Sequence, residues 1–241
     1  MVKSMTAASR LLKELSPDAR SVLVGTAIII FAYRMVPTTG PGTTWWAIDD
    51  LGFDQAFIAK LSLIASFLAL FGMVIFRKFM AEKSVAYVIG VLAVVGSLLM
   101  IPDIAMFYGF HHWSAAMTDG VVDQRFIAVI DTAMESPLGQ IAMVPMLAWI
   151  ANSAPQNLKA TFFAVMASFA NLALSAAQLG TKYLNQIYTI PREIKDPATG
   201  EVTSPANYDD VGMLFITCAL LAITLPMITI FIIKRSRFKS A

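Results

Sequence analysis

Four charged residues lie inside long apolar stretches of the sequence, where a charge is energetically unfavourable. They are Arg34, Lys60, Asp131 and Glu135. A charge near the centre of a bilayer costs at least about 2.5–3.5 kcal/mol on insertion scales, so such residues normally face one another or a wet cavity. A cation at this depth is suited to binding an anion, and a carboxylate to accepting hydrogen bonds or carrying a proton. The four residues are therefore candidates for one intramembrane site, or for ion pairs that only tie helices together.

The composition requires a membrane around these residues. Of the 241 residues, 57% are hydrophobic and 14% are charged, and the mean hydropathy is +0.68. Soluble domains carry about 25% charged residues, so an ordinary soluble enzyme is excluded. The net charge is only +2 and no basic run occurs in mid-chain, so nucleic-acid binding is not expected. The composition instead predicts the lipid bilayer as a partner of the whole chain.

The apolar stretches predict an all-α integral membrane protein. Each span needs about 20 mostly apolar residues, and clusters of turn-forming residues separate the stretches. The six predicted transmembrane helices are 21–39, 55–76, 84–106, 126–151, 160–184 and 212–233. They divide the chain into a cytoplasmic amphipathic N-terminal segment (1–20), a six-helix transmembrane domain (21–233) and a basic cytoplasmic tail (234–241).

The positions of lysine and arginine predict the orientation. Six spans place both termini on one side, and that side carries twelve Lys and Arg residues against three acids. The opposite side carries four against eleven, with Asp103 counted among the eleven. Because cytoplasmic loops are enriched in Lys and Arg, both termini are predicted to be cytoplasmic. The charge bias and the short loops favour a bacterial inner (cytoplasmic) membrane.

The fifth span carries a polar face on an otherwise apolar helix. Ser168, Asn171, Ser175, Gln178 and Lys182 recur at helical spacing. Such a face either lines a binding cavity, with Asn171 and Gln178 as contacts, or forms hydrogen bonds to neighbouring helices.

Ionisable residues are distributed unevenly among the spans. The first, second, fourth and fifth spans carry them, and the third and sixth are assigned as uncharged, lipid-facing supports. This distribution fits a 3+3 inverted repeat, which is an arrangement found in transporters.

Features typical of enzymes and metal sites are not found in the sequence. His111 and His112 are adjacent in a predicted outer loop, and Cys218 is the only cysteine, so no Cys/His cluster is available to bind a metal. No phosphate-binding loop or nucleophile-and-base motif occurs. An intramembrane hydrolase built on Asp131 and Glu135 would lack a partner histidine or metal. We expect no enzymatic activity, no metal and no cofactor.

Several short stretches carry a family resemblance. They are Gln-Ile-Ala-Met-Val-Pro-Met-Leu at 140–147, Leu-Lys-Ala-Thr-Phe-Phe-Ala at 158–164, Ser-Phe-Ala-Asn at 168–171, and Leu-Gly-Phe at 51–53 followed by Phe-Ile-Ala-Lys at 57–60. With these stretches the chain resembles the C-terminal six-helix half of a major facilitator superfamily transporter, in particular of the folate–biopterin transporter family. It departs from that family at Lys159, where an acid is usual, and in having six helices rather than twelve.

The resemblance implies a secondary transporter half or subunit that moves a small anionic organic solute, with folate or a pteridine as the candidate. Arg34 and Lys60 would then bind carboxylates, and Asp131 or Glu135 would accept hydrogen bonds from a pterin ring. Both acids are also candidates for proton coupling. Six helices alone cannot enclose a two-sided cavity, so the expected partner is a second six-helix half or a homodimer mate, unless the chain is a fragment. The alternative is a non-transporting assembly or scaffold protein built on the same unit.

Overall fold

The computed structural model describes residues 16–138, 159–196, 198–236 and 238. These residues form helices and one small hairpin. The helices are α1 (Pro17–Arg34), α2 (Gly42–Asp49), α3 (Gln55–Ile75), α4 (Arg77–Glu82), α5 (Val85–Leu99), α6 (Ile101–Phe107), α7 (Phe110–Met117), α8 (Gln124–Glu135), α9 (Lys159–Ile187) and α10 (Val211–Arg235). A 3₁₀ turn (Ser136–Leu138) follows α8, and strands β1 (Ile194–Lys195) and β2 (Val202–Ser204) pair antiparallel between α9 and α10.

Three helical segments of the described chain are long and apolar enough to cross a membrane. They are Gln55–Ile75, Val85–Phe107 and Val211–Arg235, which correspond to the second, third and sixth predicted spans. The first and fifth predicted spans hold α1 and α9, and the fourth begins with α8. The protein is thus mostly helical with at least three candidate membrane-spanning segments, and the count of six stays a prediction.

Three predicted features lie wholly or partly outside the described residues. They are the amphipathic part of the N-terminal segment, the whole second half of the fourth span with the stretch at 140–147, and part of the basic tail (237 and 239–241). The remaining differences from the sequence prediction concern where elements end. Helix α1 ends at Arg34 rather than at Thr39, because Pro37 disfavours helical backbone in the residue before it and cannot donate a helical hydrogen bond. Arg34 is therefore the last residue of its helix.

The hydrophobic core lies between α1, α5 and α10. Leu23 and Ile29 of α1, Ile89 of α5 and Ile230 of α10 belong to one buried cluster, which Met166 of α9 also joins. A second cluster lies towards the other end of α10, where Trp46 of α2, Met106 of α6 and Leu214 of α10 are buried. The helices of the third and sixth predicted spans are therefore central packing elements with one apolar exposed side. The prediction that these two helices are lipid-facing supports is therefore wrong for the side of each helix that packs into the core.

Helices α3 and α9 contact different parts of the described unit. Helix α9 packs against α1, and α3 packs against α8 and the 3₁₀ turn that follows it. Most of the outward side of α3 is apolar: Phe67 is 63% exposed and Val74 is 74% exposed. A surface of this kind is expected to contact lipid or another helix.

A polar network ties the hairpin to α2. The Tyr208 hydroxyl donates a hydrogen bond to the Asp49 carboxylate, and Arg192 approaches the other oxygen of Asp49 at 3.4 Å. The hydrogen bond from Tyr208 lowers the pKa of Asp49, whereas burial and the bond to Asp49 raise the pKa of Tyr208 to about 12. The pKa of the neighbouring Asp50 is raised, first by burial and then by the charge of Asp49. Adjacent carboxylates in this network therefore have opposite effects on stability.

We expect Asp49→Asn to lower the unfolding temperature at pH 7 by about 2–4 °C, because a charge-assisted hydrogen bond becomes a neutral one. Asp50→Asn, the matched control, should leave it unchanged or raise it. A group whose pKa is lowered in the folded state stabilises the protein above its ordinary pKa, which is 3.8 for Asp49, and this contribution is lost as the pH falls through the lowered pKa. The difference between wild type and Asp49→Asn should therefore persist from pH 8 to pH 5 and vanish in strong acid. Thermal unfolding across this pH range measures it, and equal effects of the two variants would contradict it.

Candidate functional site

Arg34 lies where α1 ends and a short extended segment begins. Its side chain is half-buried, and its Nε is buried without a hydrogen-bond partner. Helix α9 forms hydrogen bonds with the extended segment that follows α1. The backbone N–H of Thr38 donates to Thr181 Oγ1 at 2.9 Å, and Asn185 Nδ2 donates to the carbonyl oxygen of Thr39 at 3.1 Å. These bonds hold the end of α1, and with it Arg34, against α9.

Asp131 is the buried acid of the site. It lies on α8, its exposed fraction is 8%, and its Oδ1 is buried without a hydrogen-bond partner. It lines a cavity of about 260 Å³ between α2, α6, α8 and α10, called here the threonine cavity because Thr39, Thr43, Thr44 and Thr132 also line it. A buried carboxylate oxygen without a hydrogen-bond partner is unfavourable in an apolar interior. A bound ligand or a proton on Asp131 would remove this penalty.

Glu135 lies four residues after Asp131 but lines a different cavity. This larger cavity, of about 480 Å³, is bordered by Tyr33 and Thr38 from the end of α1, by Ser97 of α5 and by Cys218 of α10. Glu135 is exposed. The two acids predicted to share one helix face do so, and each lines its own cavity.

Asp103 is a third acid of this region, and it was not among the predicted site residues. It lies on α6, in the continuous apolar segment Val85–Phe107, and it lines both cavities. It is close enough to Asp131 and Glu135 to interact with both electrostatically. Its assignment to the outer loops is therefore wrong. The signal was present, because Asp103 precedes the end of the predicted third span by three residues.

The other predicted site residues lie on the exposed sides of α3 and α9. Lys60 is exposed on α3, and Asn171 and Gln178 are exposed on α9. Two further members of the polar face on α9 use their hydroxyls within the helix: Ser168 Oγ donates to the carbonyl of Ala164 and Ser175 Oγ to that of Asn171. The polar face therefore points away from the core of the described unit.

The ion pairs that would make these charges purely structural are not formed. Among the described residues, no salt bridge joins Arg34 or Lys60 to Asp131 or Glu135. Asp131 and Glu135 instead each line a cavity, and Arg34 Nε and Asp131 Oδ1 are buried without a hydrogen-bond partner. The described residues also contain no group of three or more His, Cys, Asp or Glu placed to hold a metal ion.

These features define a helical integral membrane protein with charged groups held inside its helix assembly. A model of the BT1 family matches residues 9–240, and the chain belongs to this family. The resemblance to folate–biopterin transporters seen in the sequence is thereby confirmed.

Two relatives carry names in agreement with the family. The chain is 26% identical over 154 residues, 64% of its length, to the folate-biopterin transporter of Synechocystis, and 23% identical over 203 residues, 83% of its length, to a putative folate transporter 2 of Plasmodium berghei. The aligned parts cover only 30% and 40% of these relatives. No solved structure gives a significant match. The relatives are named as transporters, which is not an enzyme class, in agreement with the expectation from the sequence.

Proposed function

We propose that this chain is one six-helix unit of a secondary transporter for a small organic anion, with a folate- or pteridine-like solute as the candidate. The observation that carries the proposal is the pair of unsatisfied buried groups, Arg34 Nε and Asp131 Oδ1. Keeping a cationic and an anionic group unpaired inside a membrane protein is unfavourable unless they serve a ligand. The two named relatives, both called transporters of folate or biopterin, support the class of solute.

Arg34 is the proposed anchor for the solute's carboxylate. A guanidinium binds a carboxylate through two parallel hydrogen bonds and is always charged, so it suits this role better than a lysine. Its Nε has no hydrogen-bond partner within the described unit. Lys60 on α3 and the amides of Asn171 and Gln178 on α9 would contact the solute from the exposed sides of their helices.

Asp131 and Glu135 have two proposed roles. An ionised carboxylate can accept both a ring N–H and an adjacent amino group of a pterin. Either acid could also take up and release a proton during transport, because the energy of its charged form depends on whether a cation or solute lies beside it. Proton coupling is thus part of the proposal and is assigned to these two residues.

The proposal includes a second six-helix unit. Alternating access by rocking requires two bundles around a shared site, and the polar side chains on α9 and Lys60 on α3 are exposed in the single unit. A second unit, either another copy or another chain in a major facilitator superfamily arrangement, would cover these faces. The other interpretation of the four charged residues was ion pairs that only tie helices together, and the described structure does not form them.

Native mass spectrometry of the complex, extracted in mild detergent from its own membrane, tests the proposal. The expected result is a species larger than the 26.2 kDa chain by the mass of one further helical unit, with a small anion that is lost from Arg34→Ala. A species with the mass of the lone chain and no bound solute would contradict it.

A further inference from the structure

The threonine cavity has an oxygen-rich wall inside an apolar protein. Two acidic residues, Asp103 and Asp131, line it together with Thr39, Thr43, Thr44 and Thr132. The remaining wall is largely apolar and includes Trp46, Phe53 and Phe215. Neither a histidine nor a lysine nor an arginine is among the described residues that line it. A cavity with this wall attracts a cation and repels an anion, so it is not where the carboxylate of the proposed solute binds.

One carboxylate oxygen of Asp131 has no hydrogen-bond partner in the cavity. More than nine-tenths of the residue is buried, and its Oδ1 has no hydrogen-bond partner among the described residues. The hydroxyl groups nearby are partly engaged with one another: Thr39 Oγ1 and Thr43 Oγ1 share a hydrogen bond of 3.1 Å, and Thr43 Oγ1 lies 3.2 Å from the carbonyl oxygen of Gly40. Hydroxyl oxygens that donate to neighbours keep their lone pairs available to a cation.

The oxygen ligands and the volume of the cavity indicate which kind of cation it binds. Carboxylate and hydroxyl oxygens are hard ligands, which bind hard metal ions rather than transition metals. Two carboxylates are few for calcium, which takes six to eight oxygen ligands and usually several carboxylates. One water occupies about 30 Å³ of liquid, so a cavity of about 260 Å³ has room for a small ion that keeps part of its hydration shell.

We propose that the threonine cavity is a binding site for a monovalent metal cation such as sodium, held by Asp103 and Asp131 and completed by threonine hydroxyls. The site makes Asp103 a ligand-binding residue. It shares Asp131 with the proposed solute site, but it does not depend on which anion the protein carries.

The cation offsets the mutual repulsion of the two carboxylates inside the apolar protein. Neither Glu135 nor Arg34 lines the threonine cavity. The ligands of the cation are therefore Asp103, Asp131 and the threonines. Binding of the cation would stabilise the arrangement of α6 against α8, the two helices that carry the acids.

Sodium-dependent thermal unfolding of the detergent-purified protein tests this site. Sodium chloride is compared with N-methyl-D-glucamine chloride at equal ionic strength and fixed pH, with no organic anion present. We expect sodium to raise the unfolding temperature by about 3 °C or more, since a ligand that binds only the folded state stabilises it. The shift should disappear in Asp103→Asn and shrink in Thr132→Val, which removes a hydroxyl without changing charge. Asp119→Asn, at an exposed acid that does not line the cavity, should retain the full shift.

Binding of radioactive sodium provides a second readout for variants that unfold early. Wild type should bind sodium, and Asp103→Asn should bind at least about 10-fold less tightly, a change of about 1.4 kcal/mol, because it lacks one of the two charged ligands. Equal unfolding temperatures in the two salts, or a sodium shift that survives in Asp103→Asn, would overturn the proposal. Because no organic anion is used, this result and the result of the solute experiment can each fail alone.

Discussion

Replacing Asp131 with asparagine is expected to abolish uptake of the organic anion without destabilising the protein. The carboxylate is buried and one of its oxygens lacks a partner, so the folded state gains little from its charge. A neutral side chain of the same shape removes that unfavourable burial. Loss of a charged hydrogen-bond partner typically costs about 1.5–3 kcal/mol, which corresponds to solute binding about 10- to 100-fold weaker.

The measurement for Asp131→Asn pairs two readouts. Uptake by reconstituted vesicles should fall to background, and thermal unfolding without sodium should occur at the wild-type temperature or above it. Asp119→Asn serves as the control, because Asp119 is exposed and has a left-handed backbone (φ 50°) that asparagine tolerates. A variant that unfolds early and also loses uptake would show that Asp131 is structural. A variant with normal uptake would remove Asp131 from the site.

Replacing Gly72 with alanine is expected to unfold the packing between α3 and the turn after α8. A Cβ at Gly72 would overlap the carbonyl oxygen of Pro137 and stand 2.6 Å from its Cα. Both are backbone atoms, which cannot rotate away as a flexible side chain can. Overpacking in a tight contact costs about 1–3 kcal/mol and occasionally more, and here two whole elements would have to separate.

Gly96→Ala is the matched control for Gly72→Ala. Gly96 also lies inside a helix, α5, but a Cβ there meets no atom within 4 Å. Alanine favours a helix over glycine by about 1 kcal/mol, so this variant should be neutral or slightly more stable. The yield of monodisperse protein and its unfolding temperature distinguish the two. Similar behaviour of the two variants would contradict the close contact between Gly72 and Pro137.

Much of the helical layout could be predicted because apolar length is a local property of the sequence. Three predicted spans coincide with helices that are long and apolar enough to cross a membrane, and their ends agree within two residues. The end of α1 was placed five residues too late, because hydropathy stays high through Met35 and Val36 while Pro37 already disfavours the helix. The β1–β2 hairpin was not predicted, since its strands have only two and three residues.

The site could be predicted only in part, because burial and pairing are properties of the folded chain. Charge inside an apolar stretch identified Arg34 and Asp131, and both have unsatisfied buried atoms. Asp103 lies inside the predicted third span but was counted with the acids of the outer loops. Helical spacing predicted that the polar residues of α9 share one face. That this face is exposed follows only from the folded chain, in which α9 packs against α1 through its other side.

The most direct test of the central claim is uptake of labelled folate by vesicles that contain the complex purified from its own membrane. If the chain is a unit of an anion transporter, folate or a related pteridine should accumulate above the level in empty vesicles, and excess unlabelled solute should compete with it. Arg34→Ala should lose this accumulation, whereas Asp119→Asn should keep it. Uptake equal to that of empty vesicles, for folate and for pteridines alike, would contradict the claim.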